Sequence, residues 1–545
     1  MKNLFYVYFI LIFYFVPVLG QQLDGEKMEW SEKNEILQNY FKKKSFITKD
    51  KNQIFIYNDD TESKYIIDVY DQNLNKSASQ KFNFKYNGEK IQLSITYLVE
   101  DSLHLLGIYT EKKSQRRVLV GSTLNIKGLQ KNIEVKKIMS LGISISHKYI
   151  KYYQHAISPD GSKFAILLAG YKDKVEKKKM KVQYKMFIFD DHLNLLWEKE
   201  CYDAEINRIG ISDIATPAAI IYEQLFLVDN VGNLYVKGST TKNGEQAISI
   251  ITGSKEPVKK ISFNLEKVAM QSNGDNSKET TYPYVEMYFS KDNKEIFIAY
   301  FGVNIEKKIT DNIYIHKINI ETSKVDCIKQ KLNLVEKEQF LLVGDVKKRS
   351  IVKNKDICPF SFYIKDLIFK DNGELIILSE QVCYDTYIPD NGGSPYYTPY
   401  LGDILVINLD KKGNLLWNHS LDKIQVPKRV KGTTRTYANM PLWKQIRPIF
   451  TSFKSVLIKD KIFIFYNEHP DNEENQFEKH FKGGRGTVTC TMIDDEGKKH
   501  TNLFYKKENE ICLIPKFCKL LNENTLNFCW GNSDSDDFML SKIKF

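Results

Sequence analysis

The residues of this chain best suited to hold a ligand are three tyrosines set between prolines. Tyr396, Tyr397 and Tyr400 stand in Asp390-Asn-Gly-Gly-Ser-Pro-Tyr-Tyr-Thr-Pro-Tyr400, where each proline fixes its own φ and restricts the residue before it. A stiff row of phenol rings offers apolar faces for stacking and hydroxyls for hydrogen bonds, which suits a sugar or a peptide. The competing reading is a loop, 381–401, packed by its own aromatics. A second candidate is the segment 425–450, where Lys428, Arg429, Lys431, Arg435, Lys444 and Arg447 surround Trp443. Arg429, Arg435 and Trp443 would form a basic binding rim, although a plain connection between elements accounts for them too. A third long segment, 469–486, is acidic first and ends in Gly483-Gly-Arg-Gly486, a hairpin tip.

Groups for catalysis do not come at a recognisable spacing. There is no GxSxG, HExxH, Walker loop or Rossmann glycine pattern after a strand, and the 9 His are scattered. The 68 acidic residues single out no pair, so a glycosidase drawing carboxylates from separate elements stays open but unassigned. Asn532-Ser-Asp-Ser-Asp-Asp537 alternates oxygen donors, yet it lacks the Gly and distal Glu of an EF-hand and reads as a solvated turn. None of the 8 Cys forms a CxxC pair or has a His at ligand spacing, so no metal and no cofactor is expected. Cys358 with Cys383 and Cys512 with Cys518 are the pairs to test for disulfides, against buried thiols as the alternative.

The first twenty residues carry an address. Lys2 precedes an apolar run from Leu4 to Val16, and Pro17-Val-Leu-Gly20 ends in a small residue. That is the pattern of a secretory leader cleaved near Gly20, and the run is short for a bilayer span. The expectation is an exported, periplasmic or secreted protein with no transmembrane segment in its mature part. The net charge of +11 over 545 residues is a mild basic bias, read as a lysine-rich solvated surface, Lys172–Lys181 included. Export argues against nucleic acid as a partner.

The elements that must position these residues are short strands. An aromatic content of 13% with many Ile and Val favours strand, and one unit recurs: an apolar strand, a polar turn, an apolar strand. It is plainest in His155-Ala-Ile-Ser-Pro-Asp-Gly-Ser-Lys-Phe-Ala-Ile-Leu-Leu168 and recurs at 46–57, 97–106, 288–299, 368–378, 456–465 and 519–528, with a weaker copy at 219–228. A second unit, Phe187-Ile-Phe-Asp-Asp-His-Leu-Asn-Leu-Leu-Trp197, returns as Val406-Ile-Asn-Leu-Asp-Lys-Lys-Gly-Asn-Leu-Leu-Trp417, with shorter versions at 69–75 and 492–498. Asp190, Asp410, Asn194 and Asn414 are turn residues, and Trp197 and Trp417 pack between repeats.

Ser158-Pro-Asp-Gly-Ser-Lys-Phe-Ala resembles the repeat of TolB-type and other WD40-like propellers, and the Leu-Leu-Trp strands resemble PQQ-type repeats. The resemblance implies an all-β fold, a single β-propeller of four-stranded blades. The quinoprotein Trp-docking ring and calcium ligands are missing, so cofactor chemistry does not follow. Turn spacing of roughly 50 to 90 residues suggests eight blades, with seven as the alternative. The division is a leader at 1–20, an N-terminal segment at 21–44 and the propeller at 45–545. The last unit, 512–545, has only three strands, and Lys27–Trp30 is expected to supply the fourth; a short helix is expected at 32–41. Function would be binding of a protein, peptide or envelope glycan through one face, without catalysis. The alternative is a hydrolase or lyase acting on glycans or peptides at the central channel.

Overall fold

The computed structural model describes residues 28–30 and, from 44 to 545, the strands and most of the turns that join them. The longer segments outside this description are 1–27, 31–43, 145–151, 172–181, 203–225, 270–279, 333–361, 388–395, 432–451 and 470–485. The expected leader, the 32–41 helix, the lysine run, the Asn532–Asp537 turn and nearly all of 469–486 therefore lie outside the described residues. Among those described there is no α-helix, and none long and apolar enough to cross a membrane.

Eight antiparallel sheets of four or five strands follow one another among the described residues. They are sheet 1 (44–82), sheet 2 (95–144), sheet 3 (152–202), sheet 4 (226–264), sheet 5 (286–331), sheet 6 (362–431), sheet 7 (453–505) and sheet 8 (512–544 with 28–30). In sheets 1 to 7 the chain meanders strand by strand from the first position to the fourth. The first strands lie side by side: Lys44–Lys49 with Ile95–Val99, and Phe226–Val228 with both Tyr152–Ile157 and Glu286–Phe289. That arrangement, sheet after sheet around shared inner edges, is the β-propeller fold.

Alternation along the strands explains why each sheet needs two neighbours. In strand Lys163–Tyr171, Phe164, Ile166 and Leu168 pack into the cluster shared with sheet 2, whereas Ala165 and Leu167 enter the one shared with sheet 4. Sheet 6 does the same: Leu375 and Ile377 meet sheet 5, and Ile376 and Leu378 meet sheet 7. Each fully buried Leu or Ile contributes about 1.5–3 kcal/mol relative to exposure, so a sheet stripped of one neighbour loses half of its support.

The turns are tied by the residues that sequence reading assigned to them. Asp190 Oδ1 accepts from the backbone N–H of His192 (2.9 Å) and Asn194 (2.8 Å), and Oδ2 accepts from Asn194 Nδ2 (2.9 Å). The same set recurs at Asp410 and Asn414, and at Asp229 and Asn233. This last copy corrects the weak repeat expected at 219–228. The hairpin turn of sheet 4 is Asp229–Asn233, between strands Phe226–Val228 and Leu234–Ser239. Both tryptophans clamp the next sheet, as expected. Trp197 Nε1 donates to Gly232 O of sheet 4 (3.2 Å), and Trp417 Nε1 to Asp495 O of sheet 7 (3.3 Å).

The termini meet. Strand Met28–Trp30 pairs antiparallel with Phe538–Lys544 in the register Met28↔Ile543, Glu29↔Lys542, Trp30↔Ser541, the strand expected from the three-stranded last unit. Strand Lys44–Lys49 of sheet 1 lies beside Lys519–Asn522 of sheet 8, and Lys542 Nζ donates to Gln72 O at 2.9 Å. The Cys512–Cys518 pair is not formed. Cys518 is a buried thiol donating to Ile514 O (3.4 Å), and burial pushes its pKa up to about 12. The first strand of sheet 8 is split into Cys512–Leu513 and Lys519–Asn522, both laid on Thr525–Gly531. Cys358 lies outside the described residues, and Cys383 is placed by register only, opposite Tyr400.

Candidate functional site

Sheet 6 departs from its neighbours. Among the described residues its middle strands, Leu375–Tyr387 and Tyr396–Leu409, are 13 and 14 residues long, against 10 and 11 for the equivalent pair of sheet 5. Pairing runs from Leu375↔Leu409 to Tyr387↔Tyr396. Most of the expected loop 381–401 is thus strand, a hairpin extended at the end opposite the Asp-bearing turns. Prolines argued for a loop, but Pro399 faces Tyr384 on one side, and the described pairs to the other side fall at Leu401↔Gln425 and Tyr397↔Val430. The positions between Gln425 and Val430, beside Pro399 on that side, lie outside the described residues.

The outer strand Val430–Lys431 joins the two segments singled out from sequence. Val430–Lys431 pairs with the tyrosine strand, Tyr396↔Lys431 and Tyr397↔Val430. Because faces alternate with each residue, Tyr396 and Tyr400 fall on one face of the strand and Tyr397 on the other. Tyr387, directly opposite Tyr396, and Lys431 share the first of these faces. Arg429, Arg435 and Trp443 lie outside the described residues.

The base of the hairpin holds a charge cluster that the sequence did not reveal. Glu380 and Lys423 are both 0% exposed, and Lys423 Nζ meets Glu380 Oε1 at 2.7 Å. Lys365 Nζ meets Oε2 at 2.9 Å, and Ser452 Oγ of sheet 7 donates to the same oxygen at 2.8 Å. Lys365 occupies the irregularity between Ile364 and Asp366, where the strand register shifts and a bulge can re-aim a side chain. Burial alone would raise the Glu380 pKa, but the two ammonium groups override it and hold it at about 2. Burial also works against the charge on Lys423, whose pKa is lowered, and Glu380 offsets part of that cost.

Neighbouring amides complete the cluster. Gln425 Oε1 accepts from Ser452 N (2.7 Å) and its Nε2 donates to Asn467 O (2.8 Å). Asn467 in turn exchanges two hydrogen bonds with Leu513 of sheet 8, at 2.7 and 2.9 Å. Charge-assisted and amide bonds thus lock the extended hairpin to sheets 7 and 8. Glu380 has two cations and a hydroxyl on its oxygens, the bonding of a structural carboxylate rather than of a general base.

Elsewhere Asp190, Asp191 and His192 bring three donor atoms within 4.8 Å of one another. Asp190 already accepts three turn hydrogen bonds. The identical bonds at Asp229 and Asp410, whose following residues are Asn230 and Lys411, show that the turn alone accounts for it.

No family model matches the chain, and no curated protein does. Solved structures similar to it include the WD40 domain of SCAP from fission yeast, at 9% identity over 95% of this chain and 98% of that one, TM-score 0.34. The β-propeller domain of the Trilobed protease from Pyrococcus furiosus aligns at 10% identity over 83% and 93%, TM-score 0.30. An exo-β-1,3-galactanase from Clostridium thermocellum aligns at 9% over 85% and 96%, TM-score 0.25. These are likenesses of fold, and each activity belongs to that protein.

Proposed function

We propose that the chain is an exported, non-catalytic β-propeller of eight blades that binds a protein, peptide or envelope glycan through the face bearing the extended hairpin of sheet 6. The observation that carries this reading is the hairpin itself. Its two strands are the longest among the described residues, and a buried ion cluster fixes its base. A rigid element that projects a tyrosine strand costs little ordering entropy on binding. The N-terminal strand on sheet 8 and the contact of sheet 1 with sheet 8 support closure into a single ring. The Ser158-Pro-Asp-Gly turn supports kinship with TolB-type repeats, and the apolar run Leu4–Val16 supports export to the periplasm or beyond.

The test replaces residues 385–398 by Asn-Gly, a two-residue turn between Tyr384 and Pro399. Protein with and without the replacement is applied to a glycan array and to a peptide library. The reading expects ligands retained by the intact chain and lost by the shortened one at unchanged melting temperature. Equal binding by both, or turnover of a retained ligand, would overturn it.

A further inference from the structure

We propose that Cys327 is a modification site, a thiol on the outermost strand of sheet 5 that His316 deprotonates and that captures a small disulfide as a mixed disulfide. The site lies on a different sheet from the extended hairpin and does not rest on the binding reading.

Of the six cysteines whose side chains are described, Cys201, Cys490, Cys512, Cys518 and Cys529 are buried and Cys327 is exposed. It stands on Val325–Lys331, the fourth strand of sheet 5, directly opposite His316 on Ile309–Asn319. Alternation along the strands fixes their common face. Tyr314, Ile318 and Val325 pack into the cluster shared with sheet 4, whereas Ile313, Ile315 and Ile328 enter the one shared with sheet 6. Cys327 and His316 therefore both face sheet 4.

His316 is 3% exposed, and its ring is held from two sides. Phe263 of sheet 4 lies 5.2 Å away, and Tyr300 stacks on it at 5.8 Å. Tyr300 Oη lies 3.4 Å from His316 Nε2, and Cys327 Sγ lies 4.0 Å from the same nitrogen. A buried base, oriented by a third group and directed at an accessible sulfur, is the arrangement that activates a thiol. The sulfur contact is long, as nucleophile–base pairs are before a substrate arrives. Core packing accounts for His316 and Tyr300 but not for the sulfur, which stands exposed.

The charges on this face act in the same direction. Lys329 and Lys331 follow Cys327 at alternate positions of its strand, and Lys329 Nζ lies 5.1 Å from the Tyr314 ring centre. Across the interface Lys259 and Lys237 share the face of Ile261 and Tyr235. Lys259 Nζ donates to Glu321 O at 3.2 Å, Lys237 Nζ to Val285 O at 2.7 Å, and the Tyr235 hydroxyl to Asp229 Oδ2 at 2.8 Å. Asp326 and Glu295 lie on the opposite face, paired with Lys324 and Lys317. Ammonium groups near a sulfur favour its thiolate.

The step balances. Cys327 gives its proton to His316 Nε2, and the thiolate attacks one sulfur of a disulfide RSSR. The S–S bond of RSSR breaks as the new one forms, and the departing RS⁻ takes the proton from the imidazolium. Protein–SH and RSSR become protein–SSR and RSH, so the Cys327 sulfur is oxidised and the departing sulfur reduced.

The probe is glutathione disulfide applied to the full chain, with acid quenching and peptide mapping by mass spectrometry to follow the rate at each cysteine. Near pH 7 an unassisted thiol is only a few per cent thiolate, and a stabilised thiolate is a somewhat weaker nucleophile. Cys327 should therefore exchange about three- to tenfold faster in the folded chain than in the same chain unfolded in urea. His316→Phe, which keeps an aromatic ring beside Phe263 and Tyr300, should remove that advantage. At about pH 10, where a thiol ionises without help, the two folded proteins should react alike. The comparison of folded with unfolded chain needs no variant, so it decides even where His316→Phe fails to fold. Exchange at Cys327 no faster in the folded chain than in urea would overturn the proposal. So would an unchanged rate in folded His316→Phe, or a deficit of that variant persisting at about pH 10, which reports access rather than ionisation.

Discussion

Replacing Glu380 by Gln removes the carboxylate between two buried ammonium groups and keeps the side-chain shape. The structure sets the magnitude in two ways. Breaking a buried ion pair on one side costs about 3–5 kcal/mol, because the partner charge stays buried and unmatched. Independently, the fall of the Glu380 pKa from 4.5 to about 2 corresponds to about 3 kcal/mol of differential stabilisation of the ionised form. The unfolding entropy of 545 residues, at about 2.1 cal/mol/K each, is about 1.1 kcal/mol/K, so the melting temperature should drop by about 3–4 °C. Differential scanning calorimetry at pH 7 on the chain lacking residues 1–20 measures it. Adding Lys423→Met removes one of the unmatched cations, so the double variant should recover at least about 1 kcal/mol relative to the sum of the single changes. A drop under about 1 °C, or strict additivity, would refute the argument that this cluster anchors the hairpin.

Further outcomes follow from the same geometry. The depressed Glu380 pKa contributes stability that is complete above about pH 4.5 and lost as pH falls towards 2, so Glu380→Gln should show a shallower acid melting curve than the unmodified protein. A Cβ at Gly253 would lie 2.6 Å from Trp197 Cδ1. Gly253→Ala should therefore cost about 1–3 kcal/mol in denaturant unfolding, and less than additively when combined with Trp197→Ala. Burial raises the thiol pKa of both Cys490 and Cys518, so neither should react with a thiol reagent in the native protein, and both should react after denaturation.

How much of this was legible depended on the range of the interaction. The turns were readable because Asp190 and Asn194 bond to groups within four residues. The clamp of Trp197 was readable because its strand repeats as Leu415–Leu421, with the same outward rhythm. Even the N-terminal strand of sheet 8 was deducible, since a last unit with three strands implied a missing fourth. The hairpin was misjudged because Pro395, Pro399 and Gly392-Gly393 are loop signals locally, while the pairing that extends it, Tyr384 opposite Pro399 and Tyr387 opposite Tyr396, comes from strand register. Glu380, Lys365 and Lys423 were invisible for a different reason. They meet through the sheet's register, Lys365 and Glu380 from two strands and Lys423 from just past a third, and nothing local distinguishes them from the other acidic and basic residues. Sheet 4 was misplaced because Asp229-Asn-Val-Gly-Asn233, a turn of the kind known from Asp410, was not recognised between a first and a second strand.

The N-terminal strand completes the last sheet of the propeller. The direct measurement is a cross-link between Glu29→Cys and Lys542→Cys, residues placed opposite each other in the pairing. Opposed residues of antiparallel strands have Cα atoms about 4.5–5.5 Å apart, within the reach of a disulfide. Oxidation of the folded protein should join the two positions, detected as one linked peptide by mass spectrometry, and should raise the melting temperature. Both thiols remaining separate and equally reactive after oxidation would contradict the closure.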